Sequence, residues 1–213
     1  MKFERLLDLL GDQGFFDLAS LVQLSGERRE SIRMQLHRWI KAERLVPLRR
    51  GMYAFARNYR RSEINHAELA NRLYTPSYIS THWALGFWGL IPEKVVEYTS
   101  VTTRAPGIFV NDFGGFRYRH VKPAAFFGYH PVRIDDRKVL LADAEKALLD
   151  LWHLEKGLWN NDRMAGMRFQ NPELINTERL SEYARRFNSP RLLTAVNVWS
   201  RVCGSNPPGT VEL

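Results

Sequence analysis

The chain has 213 residues, 45% hydrophobic and 25% charged, a composition that belongs to folded globular proteins with one or two cores and excludes disordered and fibrous classes. A single cysteine, Cys203, rules out an internal disulfide and a thiolate zinc centre. The net charge of +8 is unevenly spread: residues 1–61 carry thirteen cations against seven acids, so six of the eight excess charges lie there and favour a polyanionic partner.

The opening segment carries Glu4 and Asp8 inside an amphipathic pattern, unlike the apolar core of a secretion signal. The most apolar run, 78–92, is interrupted by His82 and falls short of the roughly 18 residues of a membrane span. With the lone thiol, these features predict a cytoplasmic protein that does not enter the membrane.

Phe3, Leu6, Leu7 and Leu10 are spaced for a first helix, stopped by Gly11 and Gly14. Phe15-Phe16 is a short apolar pair, and Asp17 is placed to cap a second helix with Leu18, Leu21, Val22 and Leu24 as its apolar positions. Ser25-Gly26 reads as a turn, with Ser25 as the cap of a third helix. At about 100 degrees per residue, Ile32, Leu36, Trp39 and Ile40 of that helix form one stripe. The opposite side presents Glu27, Glu30, Ser31, Met34, His37, Arg38 and Lys41, flanked by Arg33 and Arg44, while Arg28 and Arg29 lie nearer the packed side. Leu45–Leu48 and Gly51–Ala56 then predict two strands around an Arg49-Arg50-Gly51 turn.

Three helices followed by a basic hairpin is the layout of a winged helix-turn-helix. Residues 1–61 are therefore predicted to be a DNA-binding domain. Ser31, Arg33, Met34, Arg38 and Lys41 are its candidate contacts to base edges or phosphates, and Arg49 and Arg50 its wing contacts to the flanking backbone or minor groove. Arg28 and Arg29 are candidate phosphate contacts from the helix start, or bridges to neighbouring residues. Glu27 and Glu30 project near the same surface and oppose phosphate unless they accept from cytosine or pair with arginine. The alternative is the same module reused for protein contact.

The polar segment 57–62 predicts a boundary, and residues 62–213 a second, mixed α+β domain with antiparallel hairpins and C-terminal helices. A helix is expected over 65–74, and a second helical stretch from Ser77 with Ile79, Trp83, Ala84, Phe87 and Leu90 buried. The β-branched segment 97–103 and the pair 107–110 and 116–121 read as strands, as does a hairpin over 132–141. Asp143 caps a helix with Ala144, Ala147, Leu148, Leu151 and Trp152 inward, and helices follow over 177–187 and 190–203. The tail 205–213 reads as loose.

Catalytic chemistry finds little support. Asp143, Glu145, Asp150, His153 and Glu155 crowd one helix, but Asp150 and His153 read as a solvated face with an intrahelical pair. Asp135, Asp136 and Lys138 sit in an expected turn, and His82, His120 and His130 lack ligand spacing. No phosphate-cradling glycine loop or nucleophile motif occurs. The chain is thus expected to be no enzyme, with no catalytic residue, metal or cofactor. Arg117 and Arg119 on one strand face, with Arg104, His120 and Lys122 nearby, are a candidate patch for an acidic partner or nucleic acid, or a charged edge that blocks aggregation.

Residues 76–129 contain PSYIS, ALGFWGLIPE and YTSVTTRAPGIFVNDFGGFRYRHVKPAAFFGY, ADAEKALLDLWHL follows from 142, and the first domain ends in RRGMYAF. Over roughly residues 3–155 this resembles the AbiEi family of antitoxins from bacterial abortive-infection toxin–antitoxin systems; the run ending in FRYRHVKP and the EKALLDL helix are its most specific parts. The resemblance implies a bipartite protein whose first domain represses its own operon at double-stranded inverted repeats and whose second domain opposes a nucleotidyltransferase toxin. The alternative is a winged-helix regulator whose second domain senses a small molecule. A metal-dependent nuclease is a third reading.

Overall fold

Among residues 1–203, which the computed structural model describes, the first three helices follow the apolar spacing closely. Helix α1 (Phe3–Leu10) buries Phe3, Leu6 and Leu10. After the short strand β1 (Phe15–Asp17), Asp17 caps α2 (Leu18–Ser25) by accepting from the Ser20 backbone N–H at 2.9 Å. Helix α3 (Arg29–Lys41) buries Ile32, Leu36 and Trp39, where Trp39 meets the edge of Phe3 at 5.4 Å between ring centres.

Strands β2 (Leu45–Arg49) and β3 (Met52–Phe55) form a hairpin, and β1 adds to its other side, giving the antiparallel order β1-β3-β2. Gly51 takes φ 77° at the tip, a conformation open to glycine at no steric cost. One correction concerns Ser25. It is the last residue of α2, its hydroxyl donates to the Val22 carbonyl, and α3 starts four residues later from Arg28 without a side-chain cap.

The segment 57–62 is exposed at both ends but makes contacts to either side from its middle. Tyr59 meets Phe3 edge-on at 5.0 Å, Arg60 lies over the Phe113 ring at 5.3 Å, and Arg61 pairs with Asp12 at 2.9 Å. Behind it, Phe15, Leu48, Met52 and Ala54 from the first 61 residues belong to the large core of the remainder. A smaller cluster under α1, α2 and α3 uses Leu6, Leu21, Ile32, Leu36, Trp39 and Phe55.

The second region is built on a six-stranded sheet preceded by α4 (His66–Leu73). Its strands are β4 (Ser77–Ile79), β5 (Tyr98–Thr102), β6 (Gly107–Asn111), β7 (Gly114–His120), β8 (Tyr129–Ile134) and β9 (Arg137–Ala142), in spatial order β6-β7-β5-β4-β9-β8. The expected hairpins β6/β7 and β8/β9 form, but β5 runs parallel to β7 and β4 parallel to β9, so the sheet is mixed. Local patterning reveals hairpins because their partners are adjacent; parallel pairing joins segments far apart in sequence.

The stretch from Ser77 differs from expectation. Ser77–Ile79 is a fully buried strand between β5 and β9, and only Thr81–Phe87 forms a helix, α5. An all-round apolar run of this length suits a buried central strand and a buried helix alike. Helix α6 (Ala144–Leu154) packs against α5, and α7 (Asn161–Gly166), α8 (Thr177–Phe187) and α9 (Pro190–Val202) complete the helical layer. No helix among the described residues is long and apolar enough to cross a membrane. The expectation of a loose tail over 205–213 lies outside the described residues.

Candidate nucleic-acid interface

With one face of α3 committed to the core, its remaining surface is set by helical geometry. Arg29, Arg33 and His37 recur every four residues on the flank that faces the β2–β3 turn. Together with Arg49 at the end of β2, Arg50 in the turn, Arg72 in the last turn of α4 and Thr75 just beyond it, they line an open trough of about 980 Å³. Five arginines therefore converge there. Asp17, the acid in its wall, is already bonded by the Ser20 N–H and hydroxyl; burial pushes this carboxyl up, but the Ser20 bonds and the Arg72 charge outweigh it and hold it below the usual range.

These cations are not consumed by structural ion pairs. Among the described residues, Arg28, Arg29, Arg33, Arg38, Lys41, Arg49, Arg50 and Arg72 meet no carboxylate at salt-bridge distance. Arg49 donates through Nη1 to the Arg50 carbonyl at 3.0 Å, and its Nε is buried without a partner. Arg44 contrasts with them, since it lies over the Phe3 ring at 5.1 Å and serves the core.

The expected contacts divide between two faces. Arg29, Arg33, Arg49 and Arg50 come together in the trough, and His37 and Arg72 join them. Met34, at 60% exposure, and the exposed Arg38 and Lys41 lie on the outward side of α3, outside that wall; Ser31 is half-buried and Arg28 is exposed at the helix start. Arg72 is invisible to sequence patterning because its place depends on how α4 packs beside the hairpin. Of the two acids that oppose phosphate, Glu27 is occupied: its carboxylate bonds the terminal amine of Met1 at 2.8 Å and the Gln35 amide at 2.9 Å, which hold its pKa low. Glu30 remains exposed beside the arginines.

The second basic group is held by separate partners: Arg117 and Arg119 line one pocket, and Arg104 is bonded to His120. Arg117 grips Glu97 through Nε and Nη2 at 2.8 and 3.0 Å, and Arg119 donates to the Leu154 carbonyl at 2.7 Å. Arg104 stacks on Tyr74 at 4.3 Å and its carbonyl bonds His120 at 2.9 Å, while Lys122 stands exposed before a short 3₁₀ turn.

The acidic helix is the largest departure from expectation. Asp150, read as solvated, is 0% exposed. It pairs with the equally buried Lys146 and accepts from the Tyr78 hydroxyl at 3.0 Å and the Ser80 hydroxyl at 2.7 Å. Burial lowers the Lys146 pKa, an effect that Asp150 opposes. Glu145 is also buried, bonded by Arg179 and the Asn176 N–H at 2.9 and 2.8 Å. Asp143 goes to Tyr183 and His130, and Glu155 to Arg163. Because each carboxylate has its own partner, the cluster does not converge, and no group of three or more histidine, cysteine or acidic residues among the described residues is placed to hold a metal. A signal was present in the sequence: Lys146 and Asp150 stand four apart in a helix whose other positions are apolar nearly all round.

A scan against protein-family models and a search of curated proteins found no match to this chain.

Proposed function

We propose that the chain is a DNA-binding repressor in which residues 1–61 act as a winged helix-turn-helix, with α3 as recognition helix and the β2–β3 hairpin as wing. The observation that carries this reading is the arginine-lined trough between α3 and the hairpin turn, whose cations have no carboxylate partners. A phosphate backbone supplies the missing counter-charge, and its contacts position the protein while base contacts specify. Met34, Arg38 and Lys41, on the outward side of α3, are assigned to base edges. Arg29, Arg33, Arg49, Arg50 and Arg72 are assigned to phosphates.

On the resemblance to AbiEi antitoxins, the repressed target is the inverted-repeat operator of its own operon. Residues 62–213 oppose a nucleotidyltransferase toxin, and the protein works in the cytoplasm without catalytic activity of its own. Growth rescue on co-expression with a neighbouring nucleotidyltransferase tests the antitoxin role; no rescue removes it and leaves the repressor.

The test of DNA binding uses the duplex upstream of the protein's own gene, titrated at several salt concentrations. Arg33→Ala with Arg50→Ala is expected to lower affinity for all sequences alike and to reduce the salt slope by roughly 2. Arg38→Ala is expected to lower the ratio of operator to random-sequence affinity instead, by about 1–3 kcal/mol. Unchanged slope and unchanged ratio would remove the assignment.

A further inference from the structure

Thr81 combines two unfavourable features that the fold does not offset. It is a β-branched residue at φ 54°, in the left-handed region, and its hydroxyl oxygen is buried without a hydrogen-bond partner although the residue is only 4% exposed. Strained backbone and unpaired buried polar groups both cost stability and concentrate where a ligand is held. The preceding residue fixes this strained peptide in place. Ser80 donates through its N–H to the Thr99 carbonyl at 2.9 Å and through its hydroxyl to Asp150 at 2.7 Å, so the buried Lys146–Asp150 pair anchors the residue that precedes Thr81.

Thr81 lines a pocket of about 160 Å³ with Arg117, Arg119, Glu97 and Glu155. Both carboxylates are neutralised, Glu97 by Arg117 at 2.8 Å and Glu155 by Arg163. Arg119 meets no carboxylate among the described residues and spends one donor on the Leu154 carbonyl, so the lining of one pocket holds a cation without a carboxylate partner and, on Thr81, an unpaired hydroxyl. This pocket adjoins a second cleft of about 390 Å³, with which it shares His82, Glu97 and Thr99 as walls and whose other walls include Ile91, Val95, Met167 and Glu93. The small pocket thus supplies a cation, and the adjoining cleft supplies apolar walls beside Glu93 and Glu97, which are paired with Arg168 and Arg117.

We propose that this cleft binds a small amphipathic oxyanion, its carboxylate or phosphate head on Arg119 and the Thr81 hydroxyl and its apolar body against Ile91, Val95 and Met167. The guanidinium fork matches the planar spread of oxyanion acceptors, and the threonine hydroxyl supplies one further donor. The site shares no residue with the arginine trough on α3, so it stands or falls independently of DNA binding.

The test titrates the full chain by calorimetry with hexanoate, hexyl phosphate, hexanol and inorganic phosphate. Hexanoate or hexyl phosphate is expected to bind at least about tenfold more tightly than hexanol or inorganic phosphate, and the tighter of the two identifies the head group. Arg119→Gln is expected to weaken that probe about tenfold to a hundredfold. Thr81→Val is expected to weaken it as well, while the melting temperature of the unliganded protein holds or rises, because a methyl replaces an unpaired hydroxyl. The proposal is overturned by equal binding of hexanol and its anionic counterparts, by no binding of any probe up to about 10 mM, by unchanged affinity in Arg119→Gln, or by a lower melting temperature in Thr81→Val.

Discussion

At the residue scale, Lys146 and Asp150 show how burial reverses the value of a charge. A solvated pair of this spacing contributes a few tenths of a kcal/mol. Sealed beneath Tyr78 and Ser80, the same pair has lost its hydration, so removing one partner strands the other. Asp150→Ala should therefore cost about 3–5 kcal/mol in urea denaturation, whereas Lys146→Met with Asp150→Leu should recover most of that loss; equal destabilisation by both would contradict the account.

Two glycines at similar angles behave differently for a related reason. Gly51 at φ 77° has open space where a Cβ would point, so Gly51→Ala should cost only the backbone strain, about 1 kcal/mol. At Gly128, φ 68°, the added carbon would lie 2.9 Å from the Tyr183 ring and 3.1 Å from Lys146, so Gly128→Ala should be clearly worse in the same assay. Tyr183 carries a pH signature. Burial, then its bond to Asp143, pushes its phenol from 10.0 up to about 12. A raised pKa means a contribution fully present below pH 10 and lost as pH rises through about 12. Tyr183→Phe should therefore flatten the fall in stability over that window in alkaline melts, and an unchanged profile would refute the assignment.

At the element scale, the outward face of α3 is legible in its sequence, but the flank that meets the hairpin is not. Ile32, Leu36 and Trp39 fix its rotation in the core, and that rotation sends Arg29, Arg33 and His37 toward the hairpin while Met34, Arg38 and Lys41 face outward. The proposed phosphate and base contacts follow from this split, which is why the Arg33/Arg50 and Arg38 variants are expected to change different quantities. The second region makes the complementary point. α6 buries its whole length from Glu145 to Trp152; Lys146 pairs with Asp150 one turn along the same helix, while Glu145 and Asp150 also find partners on distant elements.

At the scale of the whole molecule, the first 61 residues do not keep their apolar surface to themselves. Phe15, Leu48, Met52 and Ala54 complete the large core, and the Asn111 amide donates to the Leu48 carbonyl at 3.3 Å across the two regions. Arg72 enters the arginine trough from α4. A fragment of residues 1–61 should expose that apolar face, melt at a lower temperature than the full chain and self-associate by light scattering. It should also bind duplex DNA more weakly, having lost one of five trough arginines. A fragment matching the full chain in all three respects would show that the shared core contributes nothing.

The sequence by itself determined the elements whose signal is local. Apolar spacing placed α1, α2 and α3, turn residues placed the β2–β3 and β8–β9 hairpins, and charge distribution marked the first 61 residues as the basic part. Tertiary structure alone decided what depends on distant partners. It made Ser77–Ile79 a central strand, set β5 parallel to β7, and drew Arg72 to Arg33 and Arg50. It also sealed Asp150 with Lys146, and left Thr81 strained with an unpaired hydroxyl. The physical reason is the same in each case: helical and turn propensities act over a few residues, whereas burial, pairing and desolvation are fixed only when segments separated by tens of positions meet.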